Sequence, residues 1–251
     1  MAGFFGNLAY GLGRKLGPKF RKAKWLYKTM SEGSKESIKA EYELGLDLYS
    51  EVAEKLTLNS NTSFASLIKG IGTKLGSKVS DKNWKFHFYL YSDPTPNAFA
   101  IPGGFIFVAD SLIDLCGTDK NQLAFILSHE MGHVVKRHCF HRTINEYAVN
   151  TLKTVPAKGK FAPVIKNAGL DFFIKNYSRK QETQADEFAV YLSYAAGFNP
   201  AAGARMMKAL GDKNPARDDY MKYFSTHPPH NERIVHILST CKRITKKRKA
   251  T

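Results

Sequence analysis

Three cysteines in 251 residues, Cys116, Cys139 and Cys241, with no C-x-x-C pair among them, exclude a disulfide framework and a thiolate zinc site. Long apolar runs are missing too. No stretch reaches the roughly 18 to 20 residues that a membrane-spanning helix requires, and the best N-terminal run, residues 4–12, is broken by Gly6, Asn7 and Gly11. A basic cluster follows that run instead of preceding it, the reverse of a secretory signal. Acidic residues are absent from both ends. Residues 1–31 hold seven basic residues (Arg14, Lys15, Lys19, Arg21, Lys22, Lys24, Lys28) and residues 241–251 hold six (Lys242, Arg243, Lys246, Lys247, Arg248, Lys249). Taking those thirteen from 38 leaves 25 basic against 22 acidic residues in the middle, so the net charge of +16 belongs mainly to the ends. Basic ends suit an anionic membrane surface or plain solvation. The lack of aromatic and basic interleaving in the middle disfavours nucleic acid as the main ligand.

What is present is the composition of a folded protein, 43% hydrophobic and 12% aromatic, with no internal repeat. The pattern divides the chain into a basic N-terminal segment (1–31), one domain (32–240) and a basic tail (241–251). Ile38, Tyr42, Leu46, Leu48, Tyr49 and Val52 recur at helical spacing over residues 37–56, and a shorter helix is expected around Leu67 and Ile71. Residues 84–91 alternate as a strand does. Ala98 to Ile101 and Phe105 to Val108 flank Pro102-Gly103-Gly104, the signature of a hairpin. The strongest helix runs from Asp119 to His138, opened by a capping box between Asp119 and Gln122. Residues 143–176 are mixed and interrupted by Pro156 and Pro163. Further helices are expected over residues 182–196, after Pro200, and after Pro229. The fold class is therefore α+β, mostly helical.

Inside the strongest helix stands His129-Glu130-Met131-Gly132-His133. Histidines at i and i+4 share a helix face and can both reach one ion, with the intervening glutamate beside a water held there. A third ligand is needed. The long metzincin form would put Gly at 136 and His at 139, where Lys136 and Cys139 stand. His138, nine residues after His129, lies about half a turn round the helix and so faces away from the metal. Glu146 lacks the acidic residue expected four positions on, which is Asn150. Glu182 is the better candidate, because Asp186 at i+4 shares its face and can act behind the ligands on an imidazole or an arginine. His87, His141, His230 and His236 read as surface or supporting residues.

Four stretches in order resemble the HtpX-like, CAAX-processing-type family of zinc metallopeptidases, nearest its mitochondrial Oma-type branch. They are Asn97-Ala98-Phe99 with Pro102-Gly103-Gly104 and Phe107-Val108; His129 to His133; Tyr177-Ser178-Arg179-Lys180 through Asp186; and Ser225-Thr226-His227-Pro228-Pro229-His230 with Arg233. The resemblance implies a zincin-like core with an active-site helix, a second ligand helix and a small sheet whose edge strand lines the cleft. It implies one zinc held by His129, His133 and Glu182, with Glu130 as general base and His227 as stabiliser of the tetrahedral intermediate. Asp186 and Arg233 support the ligands from behind, and Asn97, Ala98 and Phe99 bind substrate. Gln184 departs from the family, which usually has glutamate there; at i+2 from Glu182 it points off the metal face. A second departure is the missing transmembrane segment.

The function expected is hydrolysis of protein or peptide substrates, some of them membrane-anchored, in quality control or processing. The acid-free N-terminus and the resemblance together point to mitochondria and the inner membrane, with residues 1–31 as a peripheral anchor. A homo-oligomer is compatible with the sequence. The rival is an inactive zinc-binding pseudo-peptidase acting at a membrane surface, which retention of Glu130 disfavours.

Overall fold

Three short segments rich in aromatic and β-branched residues build a small sheet. In the computed structural model, which describes residues 34–59, 63–153, 177–211, 227 and 231–249, these are β1 (His87–Tyr91), β2 (Ala98–Ile101) and β3 (Phe105–Ala109). The strand order is β1-β3-β2, with β1 parallel and β2 antiparallel to β3. The expected hairpin is thus β2–β3. Its turn needs glycine: Gly103 and Gly104 have φ of +84° and +90°, and a Cβ at Gly104 would lie 2.0 Å from the Lys85 carbonyl oxygen.

The two faces of the sheet feed two cores. Phe88, Leu90, Ala98, Ala100, Ile106 and Val108 point into the larger one, and Tyr91, Phe99, Ile101, Phe105 and Phe107 into the smaller. Helix α1 (Lys35–Ala53) closes the smaller core with Leu44, Leu48 and Val52. Helix α2 (Ser63–Gly76) and the long α4 (Lys120–Val135), which follows the short α3 (Asp110–Leu115), close the larger. Three-layer burial explains why β3 is buried at every position and reads as a continuous apolar run.

Four more helices complete the described fold: α5 (His138–Lys153), α6 (Arg179–Ala195), α7 (Ala201–Gly211) and α8 (Asn231–Lys249). Helix α8 runs on past residue 240, and Ile244 is buried, so helical structure continues into the stretch set apart as a tail. The N-terminal segment 1–31, the Pro156 and Pro163 stretch, 225–226, 228–230 and the side chain of Glu146 lie outside the described residues. Among the described residues no helix is long and apolar enough to cross a membrane. The three cysteines are free.

The sequence reading errs in two local places. Asp119 does cap α4, accepting from the Asn121 amide at 2.8 Å, but its other oxygen accepts from the Gln122 side chain at 3.2 Å, so the reciprocal box does not form. More important, the helix does not continue to His138. It stops at Val135, Arg137 takes φ +58°, and α5 begins at His138 in a new direction. An arginine in the left-handed region costs roughly 1 kcal/mol. Here it is held by Glu41 of α1, whose Oε2 accepts from Arg137 Nε at 2.9 Å in a buried pair.

Candidate active site

Helix α4 is buried continuously from Leu123 to Val134. The motif therefore sits on the central helix of the fold, where its polar side chains must find partners inside the protein. They find them on α6, which opens with the reciprocal capping box of Ser178 and Gln181. Close approach of the two helices depends on Gly132. A Cβ there would lie 3.1 Å from the Cα and carbonyl oxygen of Ala185 and 3.3 Å from Cβ of Phe188. The motif's glycine thus lets Glu182, one turn before Asp186, reach the two histidines.

His129, His133, Glu182 and His227 form a buried cluster whose donor atoms all lie within 4.8 Å of one another. His129 Nε2 is 3.1 Å from His133 Nε2; Glu182 Oε1 is 3.4 Å from His133 Nε2 and Oε2 is 3.5 Å from His129 Nε2. Ligands at about 2.0–2.1 Å from a tetrahedral zinc are separated by roughly 3.3–3.4 Å. These spacings therefore let the two imidazole nitrogens and one carboxylate oxygen of Glu182 serve one tetrahedral ion. His227 Nδ1, 3.3 Å from His129 Nε2 and 3.1 Å from Glu182 Oε1, stands at the fourth corner, and its Nε2 is 3.4 Å from Glu130 Oε1. His227 is thus inside the ligand set, closer than a residue that only meets a substrate oxygen. Neither oxygen of the fully buried Glu130 has a hydrogen-bond partner. A buried carboxylate without a hydrogen bond is costly, and this one, with only His227 among the described residues within 4 Å as a possible cation, fits a further cation or a water beside it.

Behind the ligands, Asp186 Oδ1 lies 3.0 Å from His129 Nδ1. Arg233 of α8 holds that carboxylate with Nε and Nη2 at 2.7 and 2.8 Å, and its Nη1 is 2.8 Å from Glu182 Oε2 and donates to the His227 carbonyl at 3.1 Å. The sequence pattern alone missed four residues. His138, expected to face away, packs its Nδ1 3.0 Å from His133 Nδ1, because the break at Arg137 folds it back. Gln184, also set aside, accepts on Oε1 from His138 Nε2 at 3.0 Å. The Tyr177 ring stacks on His133 with centroids 3.7 Å apart, and Arg142 donates to its hydroxyl at 2.6 Å. Tyr177 had been noted only as part of a matching stretch; nothing local in the sequence marks the others.

Asn97, Ala98 and Phe99 lead into and form β2. Ala98 is buried in the larger core, and Phe99 stacks on Phe107 in the smaller at 5.1 Å. The side chains of Ala98 and Phe99 are committed to packing, whereas the buried Asn97 Oδ1 has no hydrogen-bond partner. His87, His141 and His236 do not join the cluster.

The electrostatics follow from burial against pairing. Burial opposes a charge on His129, but the Asp186 and Glu182 carboxylates outweigh it and push its pKa up to about 9. Burial keeps His133 well below the usual imidazole range, helped by its charged neighbour His129. Glu182 would be raised by burial, yet His227, His129 and His133 hold it far down. Burial raises Glu130. Without a metal the cluster thus keeps a proton on His129, and a cation must displace it.

The model of peptidase family M48 matches residues 66–241. The mitochondrial metalloendopeptidase OMA1 of Schizosaccharomyces pombe is 31% identical over 163 residues, covering 63% of this chain and 47% of that protein. Its Saccharomyces cerevisiae counterpart is 31% identical over 157 residues, 60% of this chain and 45% of that protein. Metalloprotease LoiP of Escherichia coli is 28% identical over 194 residues, 74% of this chain and 75% of its own length. The match thus spans about half the length of the two OMA1 proteins. With the motif, its downstream glutamate and the family match covering most of the chain, the protein belongs to peptidase family M48.

Proposed function

We propose that the protein is a zinc-dependent endopeptidase that hydrolyses peptide bonds of protein substrates. The observation that carries this reading is the buried convergence of His129, His133 and Glu182 on one point, beside a Glu130 carboxylate with no hydrogen-bond partner. Those three residues would hold the ion. Zinc, when bound, polarises a carbonyl and makes water acidic near neutral pH. Glu130 takes the proton of the attacking water on a carboxylate oxygen and passes it to the leaving amine. Burial raises the proton affinity of Glu130, which suits a group that must both accept and return a proton. His227 stabilises the developing oxyanion; because its Nδ1 lies at the fourth corner, it must swing from there to leave room for water. Backbone of β2, which among the described residues pairs only with β3, pairs with an extended substrate, which makes recognition tolerant of sequence.

Its place of action is within mitochondria, in line with the names of the OMA1 relatives, and its role is quality control or processing of proteins at a membrane. Residues 1–31 attach it peripherally to an anionic surface. A pseudo-peptidase has no need of a buried carboxylate without a hydrogen bond at position 130. The test is metal analysis of the purified protein, combined with cleavage of an unfolded protein with and without a zinc chelator. About one zinc per chain and chelator-sensitive cleavage are expected; zinc without cleavage would favour the pseudo-peptidase.

A further inference from the structure

We propose that His138 and Gln184 form a hydrogen-bond relay that fixes His133 as its Nδ1–H tautomer, so that its Nε2 lone pair faces the metal position. This rests on His133 being a zinc ligand. Two ring nitrogens 3.0 Å apart, His133 Nδ1 and His138 Nδ1, share one proton, and either could be the donor. The next partner decides between them. His138 Nε2 lies 3.0 Å from Gln184 Oε1, an amide oxygen that can only accept. His138 therefore carries its proton on Nε2, and its Nδ1 is the acceptor. The proton between the rings belongs to His133 Nδ1, and His133 Nε2 is left with a lone pair.

That lone pair lies 3.1 Å from His129 Nε2 and 3.4 Å from Glu182 Oε1, at the point where the ligand atoms converge. The opposite polarity, with a donor at position 184, would put the proton on His133 Nε2, where it blocks a metal. For His129 the same task falls to Asp186, whose Oδ1 lies 3.0 Å from Nδ1. The two histidines of one motif are thus oriented by different chemistry, one by a carboxylate and the other by a neutral imidazole backed by an amide. The relay exists because the chain breaks after α4: Arg137 at φ +58°, clamped by Glu41, turns His138 back toward His133. Tyr177, stacked on the His133 ring with 18° between planes, limits its rotation. His138 and Gln184 are positioning residues; neither touches the reacting atoms.

The test measures zinc affinity by competition with a chromophoric chelator, and the ring tautomers of the metal-free protein by long-range ¹⁵N–¹H NMR. Wild-type protein should hold His133 in the Nδ1–H form. H138L should lose about 10- to 100-fold in zinc affinity, the usual effect of removing a partner behind a metal ligand, and His133 should become a tautomer mixture. H138N, which keeps an acceptor near the place of Nδ1, should recover most of the loss. Q184E, acceptor only, should bind zinc at least as well as wild type, whereas Q184L, at a half-buried position, should weaken it. Unchanged affinity and tautomer in H138L and Q184L would overturn the relay, as would failure of H138N to rescue. If wild-type protein took up no zinc, the metal-site reading would fail, while the tautomer spectra would still decide the relay.

Discussion

Arg233 is the test case for how the site is held together. It is 4% exposed, against 0% for Asp186 and 2% for Glu182, and it contacts both carboxylates at 2.7–2.8 Å. Changing Arg233 to methionine keeps much of the apolar stem but strips two buried carboxylates of their shared cation. Breaking a buried ion pair from one side costs about 3–5 kcal/mol, because the remaining charge has no solvent to replace its partner; here, among the described residues, only the imidazoles remain beside the two carboxylates. Urea unfolding of the metal-free protein should therefore show R233M destabilised by about that amount. The double variant D186L/R233M removes the stranded charge together with its partner, so it should be more stable than R233M alone, giving a favourable coupling in the cycle. Zinc affinity should behave differently: it should fall in both, since the double variant also removes the carboxylate behind His129. A loss below about 1 kcal/mol in R233M, as for a solvent-exposed pair, would refute the argument that these charges are buried and interdependent.

Three further outcomes follow from the geometry. G132A places a methyl 3.1 Å from the Ala185 backbone, so it should destabilise by about 1–3 kcal/mol as overpacking does and weaken zinc binding by parting α4 from α6; chelator competition showing wild-type affinity would mean that the close approach is unnecessary. In metal-free protein His129 titrates at about 9, above its unfolded value near 6.5. Its contribution to stability is complete below the unfolded value and is lost as pH rises through about 9, so zinc binding at pH 7 should release about one proton from this residue; calorimetry in buffers of different ionisation enthalpy measures it, and no proton release would contradict the pairing with Asp186 and Glu182. H227F should keep zinc through the other three residues yet lose roughly 10²- to 10³-fold in kcat with little change in KM, read by steady-state kinetics on a fluorogenic peptide.

Local pattern was enough wherever structure is decided by spacing. The β2–β3 hairpin was legible because Pro102-Gly103-Gly104 supplies the left-handed φ the turn requires, and α4 because its apolar run carries an i, i+4 histidine pair. Glu182 with Asp186 was legible for the same reason: one helix face holds both. What escaped depends on contacts between distant segments. The end of α4 carries no glycine signal, since the left-handed residue is Arg137, stabilised by Glu41 from 96 positions earlier. Extending the helix to His138 then sent that side chain to the wrong side, and Gln184, judged only by its angle from Glu182, lost its partner. Strand alternation also turns the Phe99 ring onto Phe107, a packing role beside the substrate contact expected of its strand.

The central claim is that Glu130 is the base of a metal-dependent hydrolase, and the most direct measurement is E130Q assayed for zinc content and for cleavage of an unfolded protein side by side. The ligand atoms of His129, His133 and Glu182 are untouched by this change, whereas an amide cannot take the proton of water. The account predicts wild-type zinc content with cleavage almost abolished. An E130Q protein that still cleaved at the wild-type rate would contradict it.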